Sequence, residues 1–443
     1  MKFLKIIFLF FFLGAFSQEA AFKITNPKKT VIPFQLINNL VFVPVNINGA
    51  DLTFLLDSGV NETILFSLDQ KEVNFNEVEK IKFSGLGESL DIEGLKSENN
   101  TVNIGHDYKD DHHTVFIILD ESINFSSHVG IPVNGIIGYH FFKDHPIEIN
   151  YSTQKITIFN NEKIYNRKQK KFTKFPITIE GNKPYMMADV EITTIKTPSK
   201  LLIDLGNSDA VWLFPKLIEN FQYNRPNIDD YLGRGFNGDI FGKRSRIHAL
   251  YLGKFAFQQP LTAMPEEYSI QNLKLVPNRK GSIGSDILRR FTVIFNYPDQ
   301  KILLKKNKHF DDPFQFNSSG LDIQQDGMTW EKDLVMIETK KNSRNDEGKP
   351  ISDSREKFRY NFVLKPKFTV AGCRKDSPCF VAGIRKNDQL ISINKKTVGD
   401  MSMQRINDYF KEDDGKKIYL EIERNDQILN IILTLEDPIP YQK

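Results

Sequence analysis

The chain has 443 residues, with 40% hydrophobic and 26% charged, which leaves room for two to four globular domains. Its 59 basic and 56 acidic residues nearly cancel to a net charge of +3, so nothing points to a nucleic-acid or other polyanionic partner. Phenylalanine alone supplies 36 residues, which tilts the expectation toward β structure.

The chain opens as a cleaved secretory signal, residues 1–17. Lys2 and Lys5 form a basic start, Ile6 to Phe16 an apolar run, and Ala15 and Ser17 take positions −3 and −1 of a cut before Gln18. The alternative is an N-terminal anchor, but the run is short for a membrane span. No other segment approaches that length, so the mature chain is expected to be exported, in a periplasm or cell envelope or secreted, with no stable membrane span.

A duplication follows. LVFVPVNINGADLTFLLDSG and YMMADVEITTIKTPSKLLIDLG are alternating apolar strands that each end in Asp-x-Gly, at Asp57 and Asp204. Asn48-Gly49 predicts a type I′ hairpin turn in the first copy. Landmarks then recur at matched distances. Ile64-Leu65-Phe66 and Val211-Trp212-Leu213 come seven to nine residues after their aspartates, and Gly85-Leu86-Gly87 and Gly233-Arg234-Gly235 begin 28 and 29 after. Next come Val102 to Gly105 and Leu250 to Gly253, then Gly135-Ile136-Ile137-Gly138 and Gly281-Ser282-Ile283-Gly284. Each half is expected to close on one strand, Ile149 to Ile156 and Phe295 to Ile302. Two lobes are predicted, residues 18–163 and 164–308.

Related lobes about a pseudo-two-fold axis would bring Asp57 and Asp204 together. Two carboxylates about 3 Å apart cannot both ionise and share one proton. The charged one can take a proton from water while the neutral one donates to the carbonyl under attack. Gly59 and Gly206 would let the chain turn tightly beneath them. In GHDYKDDHH, His106, His112 and His113 have no counterpart in the second half, and the stretch reads as a solvated polar loop; no metal or other cofactor is expected.

Asp57-Ser58-Gly59 between apolar strands, with Ile136-Ile137-Gly138 and Ile283-Gly284 downstream, resembles the active-site architecture of the retropepsin and pepsin family. The resemblance covers residues 35 to 305 and implies an all-β bilobal acid-protease fold with Asp57 and Asp204 as catalytic dyad. It places Ser58 as the brace of the first carboxylate and Gly85, Leu86 and Gly87 on a flap over the substrate. One position departs from the family's Asp-Thr-Gly or Asp-Ser-Gly: Leu205 cannot supply the second hydroxyl. Three outcomes stay open: a working protease, a slow one, or a pseudo-protease whose cleft only binds peptide.

The pattern changes after Lys306. Phe316 to Ile323 is a small-residue turn into a strand, and the polar stretch 340–357 reads as a mobile insertion. Asp376-Ser377-Pro378 through Ala382-Gly383-Ile384 to Leu390-Ile391-Ser392-Ile393-Asn394 resembles the PDZ signature of bacterial envelope proteases. Met403 to Phe410 reads as its second helix, and Ile418 to Arg424 and Ile428 to Leu435 as closing strands. That resemblance implies a β-rich α+β PDZ domain over 309–438, with Gly320, Leu321, Asp322 and Ile323 as carboxylate loop and edge strand for a peptide C-terminus. Cys373 and Cys379 fit a disulfide in an exported chain and equally two small core residues. The whole reads as a monomeric exported aspartic endopeptidase acting on peptide or protein substrates, or as a peptide-binding scaffold of the envelope.

Overall fold

The computed structural model describes residues 21–84, 91–118, 124–219, 221, 223–235, 238–270, 275–344 and 350–442. The expected signal, 1–17, and the glycine pair Gly85-Leu86-Gly87 lie outside them.

The first lobe begins with the hairpin of β1 (Leu40–Ile47) and β2 (Ala50–Leu56). Asn48 and Gly49 have φ of 50° and 94°, the two left-handed residues of a type I′ turn. β3 (Thr63–Leu65), β4 (Tyr108–Ile118) and the short helix α1 (Ser126–Val129) lead to β5 (Gly135–Ile137). β5 runs parallel to β2 and antiparallel to β3, so it threads between the strand before Asp57 and the strand after it. The hairpin of β6 (Ile147–Asn150) and β7 (Lys155–Phe159) closes the lobe, and α2 (Glu162–Gln169) links it to the next.

The second lobe repeats the plan. β8 (Lys183–Glu191) and β9 (Lys196–Ile203) form the hairpin, then come β10 (Val211–Leu213) and β11 (Arg279–Ile283). β11 is parallel to β9 and antiparallel to β10, which reproduces the threading of β5. β12 (Phe291–Asn296) and β13 (Lys301–Lys306) close it.

The expected single closing strands are hairpins instead. Tyr151-Ser152-Thr153-Gln154 and Tyr297-Pro298-Asp299-Gln300 are turns, with Gln154 and Gln300 both at φ 50°. Ser, Pro and Asp favour turns over strand interiors, and here that local chemistry outweighs the flanking apolar residues. The reversal lets β6 pair with β12 antiparallel, Ile147 opposite Phe295 and Asn150 opposite Thr292. The result is one six-stranded sheet spanning both lobes, ordered Thr173–Pro176, β13, β12, β6, β7, Lys29–Pro33. Every residue of β12 is buried. Each fully buried Ile or Phe contributes about 1.5–3 kcal/mol, so this sheet seals the lobes to each other. One apolar core accordingly runs from Phe22 through both lobes to Phe316 and includes Ile439 near the C-terminus.

The C-terminal module has a separate core built around Leu321, Ile323, Phe368, Ile406 and Phe410. Its strands are β14 (Leu321–Arg344), β15 (Pro350–Cys373), β16 (Gln389–Ile393), β17 (Lys417–Arg424) and β18 (Gln427–Thr434), with helix α3 (Met403–Tyr409) before β17. They lie in that order across the sheet, with β14 at the edge. The polar stretch 340–357, read from composition as a mobile insertion, continues the β14–β15 ladder to Arg344 opposite Pro350, and 345–349 lie outside the described residues. Main-chain pairing uses groups that nearly every residue carries, so polar composition does not forbid it. Cys373 and Cys379 form a disulfide. Among the described residues no helix is long and apolar enough to cross a membrane.

Candidate active site

Both aspartates sit at the C-terminal end of an apolar strand and are anchored by the threading strand beside it. Asp57 N–H donates to Ile137 C=O at 3.0 Å, and Asp204 N–H to Ile283 C=O at 2.9 Å. The glycines that follow those strands allow the close pass. A Cβ on Gly138 would lie 2.0 Å from Val60 O, and one on Gly284 2.2 Å from Asp209 O.

The two carboxyl groups meet across the lobe boundary: a Cβ on Gly59 would lie 3.1 Å from Asp57 Oδ1 and 3.0 Å from Asp204 Oδ1. Each also accepts from the glycine two residues on, Gly59 N–H to Asp57 Oδ1 at 2.6 Å and Gly206 N–H to Asp204 Oδ1 at 3.1 Å. Gly59 and Gly206 each face the opposing carboxylate: an added Cβ would be 3.0 Å from Asp204 Oδ1 and 2.2 Å from Asp57 Oδ2, respectively. These glycines are therefore needed for room at the dyad.

Burial and, next, the charge of Asp204 push the Asp57 carboxyl up to about 7, against the pull of the Gly59 amide and Lys183. Burial also raises Asp204, while Arg279 and Lys183 pull it down. A pair in contact titrates as a unit, and burial and the mutual charge hold its last proton up toward neutrality.

Ser58 is fully buried. Its hydroxyl donates to Ile203 C=O at 2.7 Å and accepts from Leu205 N–H at 3.0 Å. One hydroxyl, both donor and acceptor, thus ties the first aspartate loop to the second. Leu205, which has no hydroxyl to return the tie, is buried in the shared core instead, and its C=O accepts from Ser285 Oγ at 2.9 Å.

Composition and spacing gave no sign of two cations near the dyad. Lys183 opens β8 and Arg279 opens β11, each half-buried. Burial lowers the pKa of both, and both act electrostatically on Asp204. The Lys183 ammonium is drawn to the charges of Asp57, Asp204 and Glu62. Arg279 hydrogen-bonds Tyr185 and donates from Nε to Gly281 C=O at 3.2 Å. Only the fold brings the starts of two distant strands to one spot.

His113 corrects the reading of its stretch as a solvated loop. It lies on β4, fully buried, with Nδ1 2.8 Å from Asp110 Oδ2 and Nε2 2.7 Å from Thr63 Oγ1. Thr63 opens the strand after the Asp57 loop, so the cluster braces that loop from behind. Alternation over His113, Val115 and Ile117, all buried, was the signal available. Among the described residues, no group of three or more His, Cys, Asp or Glu is placed to hold a metal.

In the C-terminal module, Leu321 and Ile323 are buried in its core and Asp322 is exposed. The loop before them differs from the expected open carboxylate cradle. Ser319 N–H and Gly320 N–H both donate to Asn317 Oδ1, at 3.2 and 3.1 Å, and Leu321 N–H donates to Ser319 Oγ at 3.0 Å. The Asn317 carboxamide thus takes up amides that the resemblance assigns to a peptide terminus.

Residues 369–424 match the family model of the PDZ domain. The C-terminal module contains a PDZ domain. The crystal structure of an aspartic proteinase from Irpex lacteus aligns with a TM-score of 0.42 at 11% identity, over 65% of this chain and 99% of that one. No curated protein matches the chain.

Proposed function

We propose that this protein is an aspartic-type endopeptidase, exported by the signal at 1–17 and acting as a monomer, since one chain holds both halves of the dyad. The observation that carries the reading is the meeting of the Asp57 and Asp204 carboxyls in one place, each supplied by one repeat. The ionised partner takes a proton from water as the water attacks the peptide carbonyl. The protonated partner donates to the carbonyl oxygen, and the proton then passes to the leaving amine. The Ser58 tie between the loops favours this over a binding-only cleft, because it braces the dyad without help from position 205.

The pair needs one proton, and Asp57 is raised to about 7. Cleavage is therefore expected to hold in acid and fade as pH rises through neutrality and the second proton leaves. The test is cleavage of an unbiased peptide library by the full chain from about pH 3 to 8. Asp57→Asn should lose activity on the order of 10²–10⁴-fold, and a statine-type transition-state mimic should block the wild type. Peptide binding with no cleavage anywhere in that range would sink the enzyme reading and leave a scaffold.

A further inference from the structure

A PDZ-type module takes an extended peptide between its edge strand and its second helix. Here these are β14 and α3. In this protein that gap already has an occupant, and the occupant is lobe 1. Helix α1 packs against both β14 and α3. Gly130, at φ 79°, lies directly on α3: a Cβ there would be 2.7 Å from Met403 Cβ and 3.8 Å from Gln325 Oε1. His128 Nδ1 stands 4.0 Å from Asp322 Oδ1 on the edge strand. The turn before β1 adds a second attachment, with Asn38 N–H donating to Gln404 Oε1 at 2.6 Å and Asn407 Nδ2 to Asn38 Oδ1 at 3.2 Å.

Both attachments lead to the dyad within a few residues. Beyond Gly130 the chain passes through Asn134, fully buried, whose N–H donates to Thr53 C=O at 2.8 Å and whose Oδ1 accepts from Thr53 N–H at 2.8 Å. It then enters β5, whose Ile137 C=O holds the Asp57 amide. Beyond Asn38, Asn39 Nδ2 donates to Ser208 C=O at 2.9 Å, in the loop that follows Asp204.

We infer that the PDZ groove is an intramolecular docking site for lobe 1, and that an extended peptide can enter it only by expelling the segment from Ser126 to Pro132. Peptide capture and lobe docking are then mutually exclusive. The internal occupant is tethered at an effective concentration of mM or more, so the apparent affinity of any free peptide falls to its intrinsic value times the fraction of molecules with an open groove. The inference does not depend on hydrolysis and would hold for a scaffold as well.

The experiment displays random hexapeptides with free C-termini and selects them on the full-length Gly130→Asp variant, in which the added side chain meets Met403 and opens the groove. The peptides selected should bind wild type at least tenfold more weakly than the variant. Gln404→Ala, which removes one half-buried attachment, should bind these peptides more tightly than wild type, by less than Gly130→Asp does. Peptide bound to wild type should increase hydrogen exchange at the amides of residues 126–132. Equal affinity for wild type and both variants, no peptide selected by Gly130→Asp, or unchanged exchange at 126–132 with peptide bound would each overturn the inference.

Discussion

The two aspartate loops are copies in sequence but not in packing. Both hang the aspartate amide on a threading strand and bring a glycine against the opposite carboxylate. They differ in what braces them. Behind Asp57 stand Thr63, His113 and Asp110, all buried. Behind Asp204, Arg244 Nη1 donates to Asp209 Oδ1 at 2.6 Å, and Trp212 Nε1 donates to Asp209 Oδ2 at 2.7 Å. Across the axis, Ser58 makes both hydrogen bonds and Leu205 makes a hydrophobic contact. A duplicated site therefore does not need duplicated side chains. It needs the same backbone path, while each lobe can stiffen that path with its own chemistry.

The sharpest way to break this comparison is to add one methyl group to either loop. The Gly206 Cβ would fall 2.2 Å from Asp57 Oδ2, whereas the Gly59 Cβ would fall 3.0 Å from Asp204 Oδ1. Gly206→Ala must displace the carboxylate, and a shift near 1 Å costs on the order of 100-fold in rate. Gly59→Ala should cost far less. Equal losses in kcat/KM for the two variants would show that the loops are equivalent after all.

Ser58→Ala comes next. It strands Leu205 N–H and Ile203 C=O in a buried site, which should cost about 1–3 kcal/mol by denaturant unfolding. Adding Leu205→Thr to that variant tests whether a hydroxyl from either lobe can tie the loops. Partial recovery of activity is expected, and a deeper loss would mean that the leucine's packing is indispensable.

The smallest effect concerns the cations. Lys183 pulls the pKa of both aspartates down, so Lys183→Met should move the alkaline limb of the pH–rate profile upward. An unmoved or lowered limb would remove Lys183 from the dyad's electrostatics. The stability sign follows from the same raised group. Asp57 rises from 3.8 to about 7 on folding, so its contribution to stability is present below about pH 4 and is lost as pH climbs through 7. Above neutrality Asp57→Asn should unfold at a higher temperature than the wild type.

Much of the site was legible because it is periodic. Asp57 and Asp204 end strands whose alternation is plain, and the matched glycines mark where backbones must pass closely. Asn48-Gly49 announced its own turn. The closing segments were misread because four turn-forming residues look like a brief polar break in an apolar run. His113 was misread because a histidine between polar neighbours gives no hint that a threonine and an aspartate converge on it in the core.

The sequence by itself determined the repeat, the pairing of two aspartates, the Asn48-Gly49 turn and the presence of a PDZ module, because these depend on spacing along one strand or across one turn. Tertiary structure alone decided which groups surround the dyad, that Ser58 bridges both loops and that lobe 1 fills the PDZ groove. Those contacts join residues tens to hundreds of positions apart. Their energy comes from burial and from exact donor–acceptor distances, which exist only once the chain has folded.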